Sequence, residues 1–111
     1  MPSIPMAKQF DIVPNPVPGM AKQFPYVVVL QSDMVASNRD KVVAPLYPMP
    51  SSMRDFSDRL QPRMKVGNQE YFMLTSQLAT ARTKDLRDPV LNIGELRDRI
   101  TAALDLLFQG V

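Results

Sequence analysis

The 111-residue chain contains no cysteine and no histidine. Disulfides are therefore excluded, and a reducing cytosol suits the chain. Zinc and iron sites built on thiolate or imidazole ligands are excluded as well. So is every mechanism that uses a histidine base or a cysteine nucleophile. No run approaches the roughly 20 apolar residues of a membrane span. The first residues, Met1-Pro2-Ser3-Ile4-Pro5, lack the basic and apolar stretches of a secretory signal. These absences predict a soluble, cytoplasmic protein without a membrane partner. Glycine is also scarce. Its four copies are scattered at Gly19, Gly67, Gly94 and Gly110, so there is no glycine-rich phosphate loop.

Charge of one sign is lacking too. Thirteen basic and 11 acidic residues leave a net charge of +2, and the signs are interspersed. A nucleic-acid binder needs a one-sided basic field to release counterions, so direct nucleic-acid binding is not expected. The carboxylate pairs Asp55/Asp58 and Asp85/Asp88 have the chemistry for a hard cation or for acid–base work. Arginines flank both, which reads as surface charge and caps. Arg82-Thr83-Lys84 reads as a solvated strand end rather than a phosphate contact. No catalytic residue, metal ligand or cofactor site emerges, and the chain reads as a protein-binding module rather than an enzyme.

What the chain has in excess is proline, 11 residues, nine of them before Ser51. Proline breaks helix interiors and central strands, so the first half should hold short strands and turns. A pentapeptide occurs twice, Met6-Ala7-Lys8-Gln9-Phe10 and Met20-Ala21-Lys22-Gln23-Phe24. Five residues are too few for a repeat architecture. The second copy lengthens a connection over residues 14–25, which its prolines and Gly19 mark as a mobile loop.

Phe10-Asp11-Ile12-Val13 is a candidate first strand. Tyr26-Val27-Val28-Val29-Leu30 is β-branched and apolar on both faces, and predicts a central strand covered on both sides. Lys41-Val42-Val43-Ala44 predicts another, stopped by Pro45, with a turn over residues 46–50. Ser52, with Asp55 three residues on, predicts a capped short helix carrying Met53, Phe56 and Leu60 on one face. Met64-Lys65-Val66 and Glu70-Tyr71-Phe72-Met73-Leu74 flank Gly67-Asn68-Gln69 as a hairpin. Both faces of the second arm are apolar, so one face should need the terminal helix and the other a second protomer. One more strand is expected over 78–83 and a loop over 85–92. The clearest element is an amphipathic helix over 94–111. Its stripe is Leu96, Ile100, Ala103, Leu104, Leu107 and Phe108 at a 3.6 period, with Asn92 as its cap and Gly110 as its stop.

Four stretches in order resemble the CcdB family of toxins from plasmid and chromosomal toxin–antitoxin pairs. They are Phe24-Pro25-Tyr26-Val27-Val28-Val29-Leu30-Gln31-Ser32-Asp33; Arg39 with Val42-Val43-Ala44-Pro45-Leu46; Pro62 through Gly67 with Tyr71-Phe72-Met73-Leu74-Thr75 and Leu78-Ala79; and Ile100 through Val111. The resemblance implies a mainly β (α+β) fold, an SH3-like barrel-type antiparallel sheet with a C-terminal α-helix. It places one toxin domain at 9–111, behind a disordered N-terminal extension at 1–8. It implies a homodimer that binds the GyrA subunit of DNA gyrase, traps the cleaved-DNA complex as a topoisomerase poison, and is neutralised by a cognate CcdA-like antitoxin. The implied target-binding residues are Phe108, Gln109, Gly110 and Val111. At Gln109 the best-known family member has tryptophan. Two alternatives stand beside this expectation. One is a MazF-like mRNA endoribonuclease on the same fold, with Arg39, Arg63 or Arg82 as its working groups. The other is a detoxified homologue that only binds antitoxin.

Overall fold

In the computed structural model, residues 6–35, 39–50 and 58–110 are described. The short helix predicted after Ser52 lies outside them, as do Ser37, Asn38 and Val111. The described strands are β1 (Asp11–Pro14), β2 (Tyr26–Val29), β3 (Asp40–Pro48), β4 (Arg63–Val66), β5 (Gln69–Met73), β6 (Ala79–Arg82) and β7 (Leu91–Asn92). One helix, α1 (Arg97–Gln109), follows. Every pairing is antiparallel, in the order β4-β5-β3-β2-β1-β7, with β6 also on β3. The sheet curls into a nearly closed barrel with the helix at its C-terminal side, an SH3-like α+β fold as expected.

β2 is the central strand that its composition predicts. It pairs with β1 on one side and β3 on the other. Successive side chains alternate between the two faces. Val28 joins one buried cluster with Ile12, Ala44, Leu46, Met73, Ile93 and Ile100. Val27 and Val29 join a second, with Ala7, Val13, Val43, Ala81 and Leu86. Both faces are therefore covered within one chain, which explains why β2 has no polar alternation. Phe72, on the face predicted to need a second protomer, is buried against Tyr47 with ring centroids 5.5 Å apart.

Pro45 does not stop β3, contrary to the sequence expectation, and residues 46–48 are strand rather than turn. The hydrogen bond from Leu30 N–H to the Val42 carbonyl fixes which β3 residues bond to β2. In an antiparallel pair these alternate, so position 45 turns its backbone away from β2. On that side β3 changes partner, from β6 (residues 40–43) to β5 (residues 46–48). Between these two pairings Pro45 faces Leu74, whose carbonyl accepts Gln77 N–H at 2.9 Å, so the missing N–H of proline leaves no acceptor unmet. The Pro45 carbonyl still accepts from Leu74 N–H at 2.9 Å.

The hairpin β4–β5 closes through Gly67-Asn68, with Gly67 at φ +63° where a side chain is disfavoured. The predicted loop at 85–92 is only partly a loop. Its last two residues are β7, a short edge strand on β1. The duplicated pentapeptide takes two conformations. In the first copy Ala7 and Phe10 are buried, so packing reaches two residues upstream of Gln9. In the second, residues 20–24 form a turn closed by Phe24 N–H on the Met20 carbonyl at 2.8 Å, exposed over residues 20–23 with Phe24 half-buried. The residue after each copy differs in the bonds it can make. The amide of Asp11 bonds the Lys8 carbonyl, and its carboxylate accepts Lys8 N–H. Pro25, at the equivalent position, has neither group.

Ile100 is fully buried between helix and sheet. Its replacement by alanine should lower unfolding free energy by about 2–5 kcal/mol in urea titration. Thr75 Oγ1 is buried without a hydrogen-bond partner. Thr75→Val removes that unpaired hydroxyl at constant shape, and should raise stability by about 1 kcal/mol. Burial, with neighbouring Tyr26 adding to it, pushes the Tyr71 phenol above its ordinary value of 10.0. The neutral phenol is thus favoured by folding. That stability is complete below pH 10 and is lost as pH rises through the folded-state value, a loss absent in Tyr71→Phe.

Candidate functional site: an apolar helix end and a rigid loop tip

The terminal helix is entered through a 3-10 turn, Gly94–Leu96, rather than directly at residue 94. Asn92 caps this lead-in and not α1 itself. Its Oδ1 accepts the Gly94 N–H at 2.9 Å, while α1 has no side-chain cap. Ile100 and Ala103 face the core fully buried, and Leu96 and Leu104 pack at its margin. The helix ends where predicted. Gly110 adopts φ +75° and its N–H bonds the Leu106 carbonyl at 3.0 Å. A non-glycine residue would be strained in that left-handed position.

This geometry divides the predicted stripe. Leu107 is half-buried, whereas Phe108 is 69% exposed. Gln109 and Gly110 are exposed beside it. An aromatic ring in water at the end of a docked, capped helix is held ready and contributes little to the core. Residues 106–110 carry no charge, so the end can offer apolar area, one amide and free backbone groups. It offers no nucleophile and no base.

A second exposed apolar feature lies outside the candidates drawn from the sequence. Met34 is 92% exposed and Val35 59%. The turn that carries them is tightly bonded. Ser32 Oγ accepts Met34 N–H, the Ser32 carbonyl accepts Val35 N–H, and Gln31 Nε2 donates to the Val35 carbonyl. Asp33 Oδ1 accepts Gln9 N–H at 2.9 Å. The signal was the Met34-Val35 pair placed directly after a Ser-Asp turn.

Gln9 connects that tip to the start of the helix. Its side chain donates to the Leu30 carbonyl, and its own carbonyl accepts from Asn92 Nδ2 at 3.0 Å. Asn92 Nδ2 also reaches Asp11 Oδ1 at 3.0 Å. Phe10, held at φ +70°, lies under the Arg97 guanidinium at 4.9 Å. Tip, first strand and helix start thus form one frame.

The other sequence candidates do not converge. Arg63 pairs with Asp58 at 2.7 Å, and Arg39 lies 3.8 Å from Asp40. Arg82 stands opposite Asp40 in the β3–β6 register. Asp85 and Asp88 are exposed, and among the described residues no three metal-ligating side chains gather. None of the described helices is long and apolar enough to cross a membrane. On the second sheet face lies a small apolar cleft of about 50 Å³, lined by Met20, Val27, Val43, Pro45 and Ala79 among others.

Fold and surface together define a small antiparallel barrel that ends in one docked helix with an uncharged, exposed tip. The chain belongs to the CcdB family: the family model described as CcdB protein matches residues 9–110. The family is one of toxins from toxin–antitoxin systems. Among curated proteins, none matches the chain closely enough to count as a relative.

Phe108 packs little in the folded chain, so Phe108→Ala should change unfolding free energy by no more than about 0.5 kcal/mol. A loss as large as that expected for Ile100→Ala would show that the ring is a core residue.

Proposed function

We propose that the protein is a toxin that binds the GyrA subunit of DNA gyrase in the cytoplasm, poisons its cleaved-DNA complex, and is neutralised by a CcdA-like antitoxin. One observation carries this reading: the exposed Phe108 on a rigid, capped and uncharged helix end. Binding energy in protein interfaces concentrates in a few aromatic or similar anchors set in fixed frames. Phe108 has that character, and Gln109, Gly110 and Val111 follow it in the chain. Glutamine at 109 supplies an amide in place of a large ring, so Phe108 is the aromatic anchor of this terminus. The exposed Met34-Val35 tip is proposed as a second, separate apolar contact for the target.

A homodimer is part of the same proposal. The apolar cleft on the second face is far smaller than the roughly 300 Å³ of a small-molecule pocket. Its apolar lining is the kind of surface that a second chain would cover. Sedimentation at micromolar concentration should give the mass of two chains.

The test is deletion of residues 109–111 and, separately, Phe108→Ala. Each variant should retain the fold by circular dichroism and lose growth inhibition by about tenfold or more, the effect of removing an interface hot spot. Purified full-length protein with gyrase and supercoiled plasmid should yield linear DNA after denaturation. A full-length chain that yields no gyrase-dependent breaks refutes the proposal.

A further inference from the structure

Sulfur in this chain is all thioether: eight methionines and no cysteine. Among the described methionines the exposures differ sharply. Met64 is 5% and Met73 0% exposed, both in the core, while Met6 and Met20 are at 48% and 40%. Met34 stands apart at 92%. Packing gives no reason for a methionine there, because the side chain touches almost nothing. The turn beneath it is fixed by the bonds to Ser32, Gln31 and Asp33, so the thioether is held outward. Val35 extends the apolar surface beside it.

We propose that Met34 is an oxidant-responsive modification site. A peroxide converts its thioether to the sulfoxide and so turns the apolar loop tip polar. The sulfur lone pair attacks one peroxide oxygen, the O–O bond breaks and an S–O bond forms. Sulfur is oxidised by two electrons, and hydrogen peroxide leaves as water. Susceptibility to this reaction follows exposure, and the sulfoxide is reversible by methionine sulfoxide reductases. The change is large for its size, since a flexible apolar side chain becomes a polar, chiral one. Core methionines are shielded, so the fold survives an exposure that alters the tip. The consequence for activity rests on the toxin reading above, because it assigns the tip to the surface the target meets.

The experiment treats the purified full-length protein with hydrogen peroxide and follows each methionine by peptide mass spectrometry. Met34 should oxidise about tenfold or more faster than Met64 and Met73. Circular dichroism should stay unchanged. Gyrase-dependent DNA linearisation should fall about tenfold and return after sulfoxide reductase treatment. Met34→Leu lacks the sulfur, so its potency, compared with its own untreated value, should not change with peroxide. Comparable oxidation of Met34 and the core methionines overturns the proposal. So does full potency of protein oxidised at Met34, or peroxide sensitivity of Met34→Leu equal to that of the native chain. An unoxidised chain without effect on gyrase sinks the toxin reading instead, and the oxidation ranking then decides the modification site alone.

Discussion

The fold depends on one nine-residue strand having to serve three neighbours. β3 bonds β2 along one edge, and β6 and then β5 along the other. Pro45 lies between the two pairings, where its carbonyl accepts Leu74 N–H and the Leu74 carbonyl is taken by Gln77 N–H, so its lack of an N–H leaves no acceptor unmet. The changeover lets the β4–β5 hairpin and the β6 strand diverge from a common base. That divergence closes the barrel and leaves one side for the helix.

A second constraint is polar. The first core is sealed at the start of β1 by Phe10 in a left-handed conformation, unusual for a bulky residue. The strain is held by its neighbours. Phe10 N–H bonds the Val29 carbonyl at 2.7 Å, and Ile93 N–H bonds the Phe10 carbonyl at 2.9 Å. Lys41, only 6% exposed, adds a bond from its ammonium to the Ala7 carbonyl at 2.7 Å. These contacts orient Gln9 toward Asp33, and Asn92 toward Gln9. The loop tip and the helix start are therefore set by the same short stretch of chain. Both are tied to the barrel through hydrogen bonds to Gln9.

Much of this was legible in the residues. The β-branched run at 26–30, the glycine at 67 and the period of the last helix each act locally, and each placed its element correctly. The errors arose where a distant partner overrode a local rule. Pro45 reads as a stop until β3 is seen to change neighbours. Leu91 and Asn92 read as loop, because an edge strand of two residues exists only through its pairing with β1. The candidate site divides in the same way. Phe108 to Val111 stood out through the resemblance and the helix pattern. The Met34-Val35 tip did not, since its exposure follows from a turn braced by Gln9, 24 residues away from Asp33.

The two copies of Met-Ala-Lys-Gln-Phe separate sequence from context within a single molecule. Ala7 is enclosed and Ala21 is in solvent, although four neighbours of each are identical. Any difference between the copies in exchange, cleavage or tolerance to substitution therefore measures surroundings alone, with composition held constant. The chain carries its own matched control for how much of a peptide's behaviour is inherited from the fold around it.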